Sequence, residues 1–270
     1  MPSVADTTVD PFAQYELPTP ADSSQPVDTL DNNPIGQSLF MRQSEFKMTK
    51  GTFVSLSSVN SKVYTTFENS SRFQSSDGGS GAASTSFGAF GLHLRTGTTV
   101  SSYAIRDLVP LGISMGVDFT FSTTLYISDV TSGNGKAACG VGDFSLNGAG
   151  CTFDSDFVGF LLQKVGTAIT IYGVISNSDS GTFIITPAIT TAVSGDGFNL
   201  MFRFTAGGGV DFYYVKRPTG VYISGDIQGP VHLAGLSPKK SADIFLNFGI
   251  TNQGGTADFG IYFGSAGFET

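Results

Sequence analysis

In the segment FNLMFRFT (198–205), Phe198, Leu200, Phe202 and Phe204 alternate with Asn199, Met201, Arg203 and Thr205. A period of two puts the aromatic set on one face, the pattern of an antiparallel strand with one side buried. AGGG (206–209) then turns the chain back into VDFYYVK (210–216) as a hairpin. Comparable short apolar runs recur at 87–95, 100–108, 116–128, 156–163, 168–176, 182–190, 243–250 and 258–264. With the hairpin they make ten short strands and predict a two-sheet sandwich spanning 87–270. Upstream, residues 38–86 show weaker alternation, with Phe40, Phe46, Phe53, Val54, Leu56, Val63, Tyr64 and Phe67 suited to one or two edge strands. Within that stretch SSDGGSGAAS (75–84) has the composition of a flexible loop.

The first 37 residues break the pattern. They hold six of the 11 prolines and six of the 22 acidic residues, and no Lys or Arg occurs before Arg42. This segment carries −6 of the net −8, leaving 16 acids against 14 bases in the remainder. Proline fixes φ and removes N–H donors, so the expectation is an extended, polyproline-like arm that orders only against another surface. Phe12, Tyr15 and Leu17 sit between its prolines beside Asp10 and Glu16, and would serve as apolar and acidic anchors on a partner. The first 30 residues have no basic n-region and no apolar h-region, so no secretory leader is expected. No run approaches the roughly 18 apolar residues of a membrane span, and no membrane partner is expected.

Charged residues make up only 13 % of the chain, which resists association weakly and favours an oligomer or assembly component. The acidic balance and the lack of a Lys/Arg cluster remove the cationic surface that nucleic-acid binding needs, so nucleic acid is not an expected partner. The two cysteines, Cys139 and Cys151, lie in a Gly-rich strand pair. Either a short disulfide loop or two free thiols of a cytosolic product fits them.

The order of segments from RTGTT (95–99) to the C-terminus resembles a known family. DFTFSTTLYIS (118–128), a GVGDF turn (140–144), DFVGFLLQ (156–163), ITIYGVISN (169–177), the hairpin of 198–220 and the closing pair of 246–269 carry the likeness. Together they resemble a concanavalin A-like jelly-roll β-sandwich of the type found in bacteriophage virion proteins. The fold class so implied is all-β, a jelly roll preceded by an extended, Pro-rich acidic N-terminal arm. The resemblance implies a virion structural protein, made in the host cytoplasm and placed on the particle surface. Its first expected role is capsid decoration or cement, with the arm on the major capsid protein or another virion protein and the sandwiches meeting as a homotrimer.

The alternative is a fibre or lectin-like module that binds host-surface glycans, with Tyr213 and Tyr214 as candidate stacking rings. The two roles separate on one feature: a surface cluster of two or more aromatic rings beside Asn or Asp in a groove favours glycan binding, and a flat polar outer surface favours cement. No cofactor is expected. Glycosidases of this fold need paired carboxylates about 5 Å apart, and the four glutamates, Glu16, Glu45, Glu68 and Glu269, form no such pair on a strand. An enzyme is therefore not expected. His93 and His232 both read as hydrogen-bonded structural histidines. Asp143, Asn147, Asp154 and Asp156 are the one candidate calcium set, against the alternative that they cap loops as Asx turns.

Overall fold

The computed structural model describes residues 62–65, 67, 73–79, 84–88, 91–98, 101–107, 114–147, 150–153, 155–217, 226–242, 244–253 and 255–270. The expected arm, 1–37, and its anchors Phe12, Tyr15, Leu17, Asp10 and Glu16 lie outside them. The strands in chain order are β1 (Lys62–Thr65), β2 (Phe73–Gly79), β3 (Ser84–Gly88), β4 (Gly91–Arg95), β5 (Ser101–Asp107) and β6 (Phe119–Val130). Then come β7 (Gly135–Gly142), β8 (Ser145–Asn147), β9 (Gly150–Thr152), β10 (Phe157–Val165), β11 (Ala168–Asn177) and β12 (Thr182–Ile185). The last six are β13 (Thr190–Ala192), β14 (Gly197–Thr205), β15 (Gly209–Arg217), β16 (Gln228–Leu233), β17 (Leu246–Thr251) and β18 (Phe259–Glu269).

These strands form two antiparallel sheets. The first runs β16-β15-β14-β6-β18-β4-β3 with β1 also on β18, and the second runs β12-β11-β10-β7-β17-β5-β2 with β13 also on β11. The β8–β9 hairpin stands apart as a two-stranded ribbon. Alternation in β14 works as its sequence implies, since Phe198, Leu200, Phe202 and Phe204 all enter the inter-sheet core. There Phe202 meets Phe119, Phe121, Phe160 and Phe212 at ring separations of 5.2 to 6.0 Å. Gly173 on β11 makes room for this lattice, because a Cβ there would stand 2.4 Å from the Phe212 ring.

The structure departs from the sequence expectations at several places. The stretch 75–84 is not all loop: β2 runs through SSDGG, paired residue for residue with β5. Ladder hydrogen bonds to a neighbour outweigh the weak intrinsic preference of Ser and Gly for strands. The run 87–95 holds the end of β3 and the whole of β4, which pair antiparallel with each other. The run 182–190 likewise splits into β12 and β13, which pair with different parts of β11. Residues 140–142 of the expected GVGDF turn close β7, and β16 arises from a segment with no strand-like alternation.

A smaller apolar cluster covers the outer face of the second sheet, where Phe144, Cys151 and Phe153 pack on Ala138, Phe157, Leu161 and Val174. Cys139 belongs instead to the inter-sheet core, so the two cysteines lie on opposite sides of the sheet. Neither is in a disulfide, and complete burial pushes the Cys139 thiol far above its usual range.

Candidate functional site

The outer face of the first sheet gathers polar and aromatic side chains from three strands far apart in sequence. On β4 (GLHLR), Leu92 and Leu94 point into the core and His93 and Arg95 point out. On β6, Leu125 and Ile127 point in and Tyr126 and Ser128 point out, while on β18 Ile261 and Phe263 flank an outward Tyr262. The register sets Tyr262 opposite both His93 and Tyr126, and Gly260 opposite Arg95.

A register shift then concentrates the chemistry. Phe259 pairs with Val130 and Ile261 with Ile127, so Ser128 and Asp129 together face the single residue Gly260. Two residues against one is a β-bulge, a device that re-aims side chains locally. Glycine is required opposite it, since a Cβ at position 260 would stand 2.5 Å from Ser128 Oγ and 2.8 Å from Asp129 Oδ2. Both side chains therefore lie across the backbone of β18, between His93 and Arg95.

The bonding is continuous. Ser128 Oγ donates to Asp129 Oδ2 at 2.8 Å. That spends the hydroxyl's one proton, so the 3.2 Å contact between His93 Nε2 and Ser128 Oγ places a hydrogen on His93 Nε2. The imidazole stacks on Tyr262 with centroids 3.9 Å apart and planes 8° from parallel, and Tyr126 lies 6.5 Å from Tyr262. Arg95 Nε donates to both oxygens of Asp258, at 3.1 and 2.9 Å, and Nη2 adds a further bond to Oδ2. This fork, with the Gly97 and Phe259 amides, holds the Asp258 carboxyl below the usual carboxylate range. Burial lowers the proton affinity of His93 and outweighs the opposing pull of Asp129, so the ring is neutral at pH 7. Arg95 and Asp129 remain well exposed, at 42 % and 36 % of their side chains, whereas Asp258 is 5 % exposed.

Ser, His and Asp meet here, but not with the connectivity of a nucleophilic relay. In such a relay the acid orients the imidazole through one nitrogen while the hydroxyl faces the other. Here His93 Nε2 faces both Ser128 and, at 3.7 Å, Asp129, and the hydroxyl gives its proton to the carboxylate. What the arrangement offers is an aromatic surface beside a hydrogen-bonding carboxylate.

The residues singled out from sequence fall elsewhere. Tyr213 lies on the outer face beside Met201, Val215 and Ile227, while Tyr214 packs against the inter-sheet core, so the pair shares no platform. His232 Nδ1 is bonded to Asp211 at 2.7 Å, and both histidines thus have partners. Asp154 lies outside the described residues, as does the side chain of Asn147. Asp143 accepts from Asn247 Nδ2 and its neighbouring Phe144 amide, and Asp156 accepts from Ser178 and the Lys239 amide. Among the described residues no three His, Cys, Asp or Glu side chains form a metal-sized group. Tyr126, Asp129, Asp258 and Tyr262 were not singled out, because only the pairing of β4, β6 and β18 brings them together.

No protein-family model matches the sequence, and no curated protein matches it. Solved structures do. The globular domain of T. cruzi calreticulin superposes with a TM-score of 0.50 at 10 % identity, over 78 % of this chain and 88 % of that one. The fold is an all-β jelly-roll sandwich of two antiparallel sheets. A legume lectin-like domain from Entamoeba histolytica gives 0.47 at 9 %, over 73 % and 89 %. The CBM2 module of the evolved Dit of Lactobacillus casei BL23 phage J-1 gives 0.47 at 10 %, over 77 % and 96 %. At such identities the likeness is one of fold.

Proposed function

We propose that this chain is a glycan-binding jelly-roll module of a virion structural protein, and that its sugar site is the outer face of the first sheet around Tyr262. The observation that carries the reading is the pair of half-buried tyrosines, 6.5 Å apart, stacked through Tyr262 on His93, whose Nε2 lies 3.7 Å from a carboxylate that is more than one third exposed. A pyranose has a C–H face that packs on an aromatic ring, whose quadrupole presents negative charge. Its rim of hydroxyls donates to a carboxylate in charge-assisted bonds. Tyr126, Tyr262 and Asp129 supply both halves on one rigid sheet; His93 covers one face of Tyr262 and fixes the ring, so the sugar meets Tyr126 and the remaining exposed side of Tyr262.

The virion setting rests on the family resemblance and on the acidic, proline-rich residues 1–37. In this reading the arm attaches the module to the particle and the sandwich meets the host. Capsid decoration, the first expectation, needs the same arm but assigns no task to the Tyr126–Tyr262 surface.

The test is affinity electrophoresis and titration against a panel of neutral oligosaccharides, with wild type, Tyr262→Ala and Tyr262→Phe. Binding that falls about tenfold in Tyr262→Ala and is kept in Tyr262→Phe is the expected result. Binding indifferent to both substitutions places the sugar elsewhere and overturns the assignment. Binding to purified particles through residues 1–37, with no sugar bound at all, would restore the decoration role.

A further inference from the structure

We infer that the site selects uncharged sugars and rejects anionic ones, such as uronic or sialic acids, and that Asp129 is the residue that discriminates; this rests on the glycan reading above. The argument is one of which charges are already committed. Arg95 is the obvious receptor for a sugar carboxylate, yet its Nε and Nη2 are engaged by Asp258. Arg217 of β15 stands across Gly197 from Tyr126 but is only 6 % exposed, and Lys164 of β10 in the second sheet is fully buried by Phe259, with its ammonium donating to the Thr131 and Gly133 carbonyls at 2.7 and 2.9 Å. No guest on the outer face can reach it. His93 adds no positive charge at pH 7, being held neutral by burial.

Asp129 is placed the other way round. Its Oδ2 receives the Ser128 hydroxyl, but Oδ1 comes no closer than 3.8 Å to Arg95, beyond a hydrogen bond. The charge that meets a ligand is therefore a carboxylate with one oxygen still seeking a donor. Neutral sugar hydroxyls satisfy that oxygen. A sugar carboxylate cannot, and it meets a like charge in a site where the nearest guanidinium is already shared.

The experiment uses the full chain and matched pairs that differ by one acidic group: lactose against sialyllactose, and galactan oligosaccharides against oligogalacturonates, each titrated into wild type and Asp129→Asn. Wild type is expected to bind a neutral member at least about tenfold more tightly than its acidic counterpart, and Asp129→Asn, which keeps an acceptor oxygen, to close most of that gap. Equal or tighter binding of the acidic member overturns the selectivity while leaving the glycan reading in place. A gap that persists unchanged in a folded Asp129→Asn variant removes Asp129 as its cause. Failure to bind any member, neutral or acidic, overturns the glycan reading itself. Thermal unfolding of each variant confirms that the comparison is between folded proteins.

Discussion

Gly260→Ala tests the bulge and the site together. The new methyl would lie 2.5 Å from Ser128 Oγ, 2.8 Å from Asp129 Oδ2 and 3.1 Å from Asp129 Cβ, all inside ordinary contact distances of ~3.5 Å. The closest obstacles are the ends of two short, partly exposed side chains, which rotate away from β18, and the 3.1 Å approach to Asp129 Cβ is relieved by a backbone shift of a few tenths of an ångström in the bulge. That rotation breaks the Ser128–Asp129 bond, and a hydrogen bond to a charged group contributes about 1.5–3 kcal/mol where water cannot replace it. At a carboxylate as exposed as Asp129 water recovers much of this, leaving a loss of ~1 kcal/mol. Alanine in a strand is itself favoured over glycine by about 0.5–1 kcal/mol. The two effects nearly cancel, and the melting temperature should move by no more than about 2–4 °C. Sugar affinity should nonetheless fall about tenfold, because Asp129 no longer stands beside His93 and Arg95. Thermal unfolding and sugar titration on the same preparation read both. Wild-type affinity in the variant would refute the role given to the bulge. A collapse in stability would show that Ser128 and Asp129 cannot rotate and that the cradle is part of the core.

Further outcomes follow from the same geometry. Stability should decline on acidification in two stages: His93 is held below its ordinary 6.5, so the unfolded chain takes up that proton first as pH falls through that range. Asp258 is held below 3.8, so its contribution is present above that value and is lost as pH falls through the folded one. Urea midpoints between pH 7 and 3 measure this, and Arg95→Met should flatten the lower stage; a midpoint that rises on acidification refutes both signs. Phe202→Ala removes a ring in contact with Phe119, Phe121, Phe160 and Phe212 and should cost about 3–5 kcal/mol in chemical unfolding, against under about 0.5 kcal/mol for the exposed Val117→Ser. A thiol reagent should label neither cysteine in the native protein and both after denaturation without reductant, whereas a disulfide would leave both unlabelled throughout.

The sandwich was legible because its interior is built from strict alternation. Phe198, Leu200, Phe202 and Phe204, or Leu92 and Leu94, declare both a strand and its buried side without any knowledge of neighbours. Strands whose existence depends on a partner were not legible. β2 contains Ser75, Ser76, Asp77, Gly78 and Gly79, residues that favour turns when read alone, and it is a strand because β5 offers a complete ladder. The site was hidden for a related reason. His93, Tyr126 and Tyr262 each stand on the outward phase of a legible strand, but which outward residues become neighbours is a matter of register, and β4, β6 and β18 are brought together over 170 positions of chain. Tyr213 and Tyr214, adjacent in sequence, are for the same reason on opposite sides of their strand.

One feature of the site did leave a trace in the sequence. Along β6 the core positions run Leu125, Ile127 and then Val130, an interval of three where the strand otherwise keeps an interval of two. An antiparallel strand can return to phase after such an interval only by inserting an unpaired residue, so the spacing marks a bulge at Ser128–Asp129. The partner strand supplies the complement, a glycine at 260 between the core residues Phe259 and Ile261. A bulge and a facing glycine weaken a ladder in the middle of a sheet, and packing alone gives no reason to place them there. Their effect is to lift a carboxylate and a hydroxyl onto the surface next to His93, Arg95 and Tyr262. The second sheet covers part of its own outer face with Phe144, Cys151 and Phe153, whereas on the face around Tyr262 the local loss of pairing at Ser128–Asp129 is matched by a gain in exposed polar chemistry.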